Sequence, residues 1–167
     1  MYTFLNKIAN VSYYIPDRYK EGYGVSDQGI DYAIEQGVEL LITLDCGIKA
    51  VDKIDRARKA GITVIVCDHH TPGEQLPNAI VLDPKRSDCE YPYKELSGCG
   101  VGFKLLQGLI QKRGDDHYKL FELLDFLAIS IGADIVDVTG ENRILAFYGL
   151  KQLNEYPRLA FDILVKT

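Results

Sequence analysis

Two short apolar runs, Leu40-Leu41-Ile42-Thr43-Leu44 and Ile62-Thr63-Val64-Ile65-Val66-Cys67, each end in an aspartate, Asp45 and Asp68, with one helix-length segment between them. Runs this short and this rich in β-branched residues read as buried strands. Between them Ile48, Val51, Ile54 and Ala57 recur at every third residue, the spacing of an amphipathic helix, and Gly61 ends it. Two strands joined in this way run parallel through a right-handed crossover, with helices packed on the sheet. The pattern predicts an α/β fold. It also puts both aspartates at the carboxyl ends of strands, where open parallel sheets bind ligands.

The alternation extends in both directions. Val11 to Ile15 reads as a strand stopped by Pro16. Ser26 can cap a helix that carries Ile30, Ala33 and Ile34 on one face and stops near Gly37. Ala79 to Leu82 reads as a further strand before Asp83-Pro84. The last third is helical: Val101, Leu105, Leu106, Leu109 and Ile110 form one apolar face, Leu120, Leu123, Leu124 and Leu127 a second, and Ile144, Leu145, Tyr148 and Leu153 a third. The prediction is a parallel sheet flanked by helices, Rossmann-like, followed by a mostly helical C-terminal third. A length of 167 residues fits one domain with a real core.

Asp68-His69-His70 brings a carboxylate and two imidazoles out together where a buried strand stops, a donor set that suits a divalent metal such as manganese. Alone it also reads as a polar turn, and Asp45 alone as the N-cap of the next helix. Together on adjacent strands they favour metal binding. Gly47 permits a sharp turn or a close ligand approach. Gly98-Cys99-Gly100-Val101-Gly102 opens a helix whose free N–H groups could hold phosphate, or is a plain tight turn. Asp134 follows a strongly apolar helix and could return a carboxylate to the same crevice. His117 sits in a polar run and reads as surface. Tyr13, Tyr14, Tyr23 and Tyr91 are candidate base-stacking platforms, against a core or rim role.

Charge and cysteine usage narrow the class. A net charge of −5 argues against nonspecific coating of nucleic acid, while leaving open a cleft whose cations supply local positive charge. Cys46, Cys67, Cys89 and Cys99 show no CxxC spacing, so reduced thiols of a cytoplasmic protein are expected. No apolar stretch approaches the roughly 18 residues that span a bilayer. The first residues lack the layout of a secretion signal.

With these residues in hand, the chain resembles the DHH phosphoesterase superfamily, and within it the RecJ-type exonucleases specific for single strands. The likeness is carried by Pro16-Asp17-Arg18 with Glu21-Gly22-Tyr23-Gly24, by Asp45-Cys46-Gly47, by Asp68-His69-His70, and by Asp83-Pro84-Lys85 and Tyr91-Pro92. It continues through the glycine turn from Gly98 and through Ala133-Asp134-Ile135-Val136 to Thr139-Gly140-Glu141-Asn142-Arg143. The resemblance implies two divalent cations, Mn2+ or Mg2+, bridged by Asp45, with His69 and Asp134 as further ligands of one. It implies that His70 contacts the scissile phosphate and that Asp68 orients the histidines. Gly98, Gly100 and Arg143 are implied to line the DNA strand. The implied chemistry is hydrolysis of single-stranded DNA from the 5′ end by two metals held roughly 3.5–4 Å apart.

Against the family pattern, no strand ending in a DYDADG-type motif precedes Val11, and Met1 to Asn10 read as the end of the helix that follows such a strand. The expectation is therefore a partial DHH domain spanning residues 1–167, short of a metal-binding strand upstream and of a second domain downstream, and inactive in isolation. A sheet lacking that strand would rearrange, or self-associate to pair its edge. Two other readings compete: a DHH phosphodiesterase for short oligonucleotides, cyclic dinucleotides or pyrophosphate, and a catalytically silent scaffold.

Overall fold

The computed structural model describes residues 1–166. The chain divides into two compact units, Met1–Glu90 and the segment from Tyr91 onward.

The first unit carries helix α1 (Tyr2–Leu5), helix α2 (Asp27–Glu35), strand β1 (Leu40–Leu44), helix α3 (Val51–Lys59), strand β2 (Thr63–Cys67) and strand β3 (Ile80–Leu82). The strands form one parallel sheet in the order β1-β2-β3, with Leu44 opposite Cys67 and Cys67 opposite Leu82. This register brings the three carboxyl ends level. Ile30 and Ala33 of α2 and Ile54 and Ala57 of α3 pack with Val64 and Val66 of β2. Val64 and Val66 are two residues apart and so share one face of the pleat, the face these helices cover. Burying each of them contributes roughly 1.5–3 kcal/mol.

Local signals set the boundaries. The Ser26 hydroxyl accepts the Gly29 N–H at 2.9 Å and starts α2. Gly61, at φ +88°, stops α3, and the Ile62 N–H closes back on the Ala57 carbonyl at 3.1 Å before β2 begins.

The segment from Val11 to Ile15 corrects the prediction, for it joins no ladder among the described residues. Tyr13 and Ile15 are 64% and 78% exposed, so the apolar alternation has no second layer to cover it. Tyr14 instead lies against Tyr32 of α2, with ring centroids 5.4 Å apart, and its hydroxyl donates to Glu21. An alternating run becomes a strand only where a neighbour pairs with its backbone.

The second unit is helical: α4 (Gly98–Arg113), a 3-10 turn (His117–Leu123), α5 (Leu124–Ala133), α6 (Gly140–Glu155) and α7 (Leu159–Lys166). Leu120, Leu123, Leu124 and Leu127 are buried, as their spacing predicts. On α6 the predicted face is rotated. Ile144 and Tyr148 are exposed, and Asn142, Leu145 and Gly149 turn inward. Gly149 is the cause: a Cβ there would strike the Leu124 carbonyl and come within 2.8 Å of the Ala128 methyl, so α6 crosses α5 backbone to backbone. Arg158 closes this unit from the start of α7, its Nε 2.6 Å from the fully buried Asp125 carboxylate and its guanidinium over the Phe126 ring.

Candidate metal centre

Asp45 leaves β1 in the left-handed region, at φ +61°, an energetically disfavoured backbone that aspartate tolerates better than most residues. It is not a helix cap, for α3 begins only at Val51. Its N–H prolongs the ladder to the Cys67 carbonyl at 2.8 Å, and its carbonyl accepts the Tyr23 hydroxyl at 3.1 Å. Gly47 completes the turn at φ +110°; a Cβ there would stand 2.7 Å from the Thr43 hydroxyl and 3.2 Å from a Val66 methyl. The Thr43 hydroxyl donates to the Cys46 carbonyl at 2.8 Å. The strand end is thus locked from both sides.

Asp68 is 1% exposed and its carboxylate is fully engaged. Oδ2 accepts the Ile48 N–H at 2.9 Å. Oδ1 takes the N–H groups of His69 and His70, at 2.8 and 3.3 Å, and stands 2.6 Å from His70 Nδ1. Burial by itself would raise its pKa. The Ile48 N–H, the His70 ring and the two histidine N–H groups outweigh that and hold it below the usual carboxylate range. An ionised carboxylate has no proton to give, so His70 donates through Nδ1 and presents Nε2 outward.

His69 Nε2 and Asp45 Oδ1 approach to 3.1 Å, yet Oδ1 is a buried oxygen with no aligned hydrogen bond. One ligand atom from each of Asp45, His69 and His70 lies within 4.8 Å of the others, the one such grouping of three or more among the described residues. A carboxylate and imidazoles in that compass fit a divalent transition ion, and the orphaned oxygen is what such an ion would satisfy.

The remaining predicted site residues, Asp134, Gly98, Gly100 and Arg143, belong to the second unit. Asp134 is the C-cap of α5 in the second unit, its carboxylate accepting the Ser130 hydroxyl at 3.2 Å, and it is not a member of the trio. Gly98 and Gly100 sit buried in the first turn of α4, and the Gly100 N–H is held by the Ser97 hydroxyl at 3.2 Å. That hydrogen bond makes Ser97 the cap of a helix the sequence reads as opening at the glycines. Arg143 is exposed on α6. Its neighbour Asn142 is fully buried and donates to the Glu95 and Asp137 carbonyls, while Glu141 binds the Lys104 ammonium and the Tyr91 hydroxyl. Tyr91 is thus occupied within the second unit. Tyr23 stays open at the metal corner, edge-on to His70 with Arg18 over its ring at 5.4 Å. The Arg18–Tyr23 pairing was missed by sequence reasoning, since nothing local marks residues five apart in a loop as partners.

Comparison with known proteins matches this geometry to a family. Residues 1–131 match the DHH family, N-terminal domain. The chain is 42% identical over 167 residues to the single-stranded-DNA-specific exonuclease RecJ of Bacillus subtilis (strain 168), covering 99% of this chain and 20% of that protein. It is 38% identical over 155 residues to RecJ of Escherichia coli (strain K12), covering 87% and 27%. Among solved structures, exonuclease RecJ bound to manganese superposes with a TM-score of 0.80 at 32% identity, over 92% of this chain and 38% of that one. RecJ of Thermus thermophilus in complex with Mn2+ gives 0.72 at 30% identity, over 83% and 21%. The chain spans 20% and 27% of the length of the two exonucleases compared by sequence.

Proposed function

This chain belongs to the DHH family, and from that premise we propose that it forms part of the catalytic core of a metal-dependent exonuclease that hydrolyses single-stranded DNA in the 5′→3′ direction. The observation that carries the reading is the convergence of Asp45, His69 and His70 within 4.8 Å at the ends of adjacent parallel strands. The names of the curated relatives and the manganese in the solved neighbours support it.

Asp45 and His69, whose Oδ1 and Nε2 lie 3.1 Å apart, would hold a cation, Mn2+ or Mg2+. Asp134, carried over from the family pattern, would supply a further carboxylate ligand. A divalent ion held there would supply Lewis-acid polarisation of the phosphodiester and a water nucleophile at neutral pH. His70 is anchored on Asp68 through Nδ1, which turns Nε2 toward the scissile phosphate. Asp68 takes no part in binding the ion; it fixes the tautomer and tilt of His70 and the peptide direction of both histidines. Gly98, Gly100 and Arg143 are carried over from the family pattern as contacts to the DNA strand, and Tyr23, under the Arg18 guanidinium, offers a ring on which a terminal base can stack. Asp45 and His69 would fill only part of one coordination shell, so this pair without further ligands would hydrolyse little.

Calorimetric titration with Mn2+ tests this. The chain binds, and His69→Ala binds at least about 100-fold more weakly, beyond the range of outer-shell changes. With the full-length protein, the same substitution abolishes Mn2+-dependent release of mononucleotides from 5′-ended single strands. Equal Mn2+ binding by both chains would refute the metal centre and favour a silent scaffold. Activity confined to dinucleotides or cyclic dinucleotides would refute the exonuclease assignment and leave the metal centre standing.

A further inference from the structure

Asp83 follows β3 as Asp45 follows β1 and Asp68 follows β2, so three neighbouring parallel strands each deliver an aspartate to one edge of the sheet. The Asp68 N–H donates to the Leu82 carbonyl at 3.0 Å, which sets Asp68 and Asp83 side by side. Asp83 is 3% exposed. One of its oxygens, Oδ1, accepts the Lys85 N–H at 2.8 Å. The other, Oδ2, is buried and has no hydrogen-bond partner. Burial raises its pKa and the Asp68 charge adds to that, against the Lys85 N–H and the positive charges of Lys85 and His69. The contrast with Asp68 is sharp, for there every acceptor position is filled. A carboxylate that served only to staple the turn at Lys85 would be complete with Oδ1, and native structures rarely leave the second oxygen unmet unless water or an ion meets it.

We infer that Asp83 is a positioning residue of the metal corner, whose free Oδ2 accepts a hydrogen bond from the water shell of the cation and whose charge strengthens the hold on that cation. The inference rests on the metal reading of Asp45 and His69. It adds an outer carboxylate that acts through water rather than by direct coordination.

The test is Asp83→Asn in this chain. The amide oxygen keeps the Lys85 N–H, while the charge and the second acceptor are lost and an NH2 donor stands where Oδ2 was. Asp83→Ser, whose hydroxyl can also accept that N–H, serves if the amide variant does not fold. Mn2+ titration by calorimetry is paired with thermal melting without metal. The expected result is Mn2+ affinity about 10–100-fold weaker than in the parent chain, with the metal-free melting temperature unchanged or raised. Parent-like Mn2+ affinity in the variant would overturn the role of Asp83 and leave the metal centre intact. A lower metal-free melting temperature in step with weaker binding would overturn it too, as the mark of a structural residue. Absence of Mn2+ binding by the parent chain itself would bring down both readings together.

Discussion

Replacing Asp68 by asparagine separates the buried carboxylate from the two histidines it holds. The carboxylate receives four donors, from Ile48 N, His69 N, His70 N and His70 Nδ1. In the less costly orientation of D68N, the amide oxygen keeps the three histidine donors and the NH2 group faces the Ile48 N–H. One charge-assisted bond is lost, and two buried donors confront each other without an acceptor. The expected cost is about 3–5 kcal/mol, a large part of the roughly 5–15 kcal/mol that holds a domain together. For a chain of this size that lowers the melting temperature by about 6–20 °C. The folded pKa of Asp68 is depressed, so its stabilisation is fully present above the unfolded value of about 3.9 and is lost as pH falls through the lower folded value. Urea denaturation of both chains between about pH 3 and pH 7 should therefore show a wide gap at neutrality that narrows on acidification. A gap below about 1 kcal/mol at pH 7, or one that stays constant with pH, would refute the assignment of Asp68 as the internal anchor.

Two further substitutions probe the scaffold. Gly47→Ala combines a left-handed backbone with a methyl 2.7 Å from the Thr43 hydroxyl, and should cost about 2–5 kcal/mol in equilibrium denaturation. A neutral effect would mean that the turn after β1 is not held as described. Arg158→Ala leaves the Asp125 carboxylate buried without its cation, and should destabilise the helical unit by about 3–5 kcal/mol by the same measurement. A loss under about 1 kcal/mol would show that water replaces the guanidinium without penalty.

What the sequence made legible was whatever is decided within a few residues. β1, α3 and β2 were readable because their apolar spacing and the stop at Gly61 are local, and the Ser26 cap because a hydroxyl beside the first turn has one obvious use. The strand-end placement of Asp45 and Asp68 followed from the same periodicities. The segment from Val11 to Ile15 was misread because side-chain alternation carries no information about whether a pairing partner exists. The rotated face of α6 was hidden for a related reason. Glycine adds nothing to an apolar pattern, yet Gly149 marks the line along which two backbones touch. The full set of donors around Asp68 was also out of reach of local reasoning, because the Ile48 N–H that completes it lies twenty residues away.

The left-handed conformation of Asp45 has a bearing on how the site can be dissected. The same residue carries a candidate ligand oxygen and a disfavoured backbone angle, so truncating it changes two quantities at once. Asparagine shares the tolerance for that angle and would report on the charge alone. Alanine would add about 1–2 kcal/mol of conformational penalty, and a loss of binding after that change could not be credited to the missing oxygen.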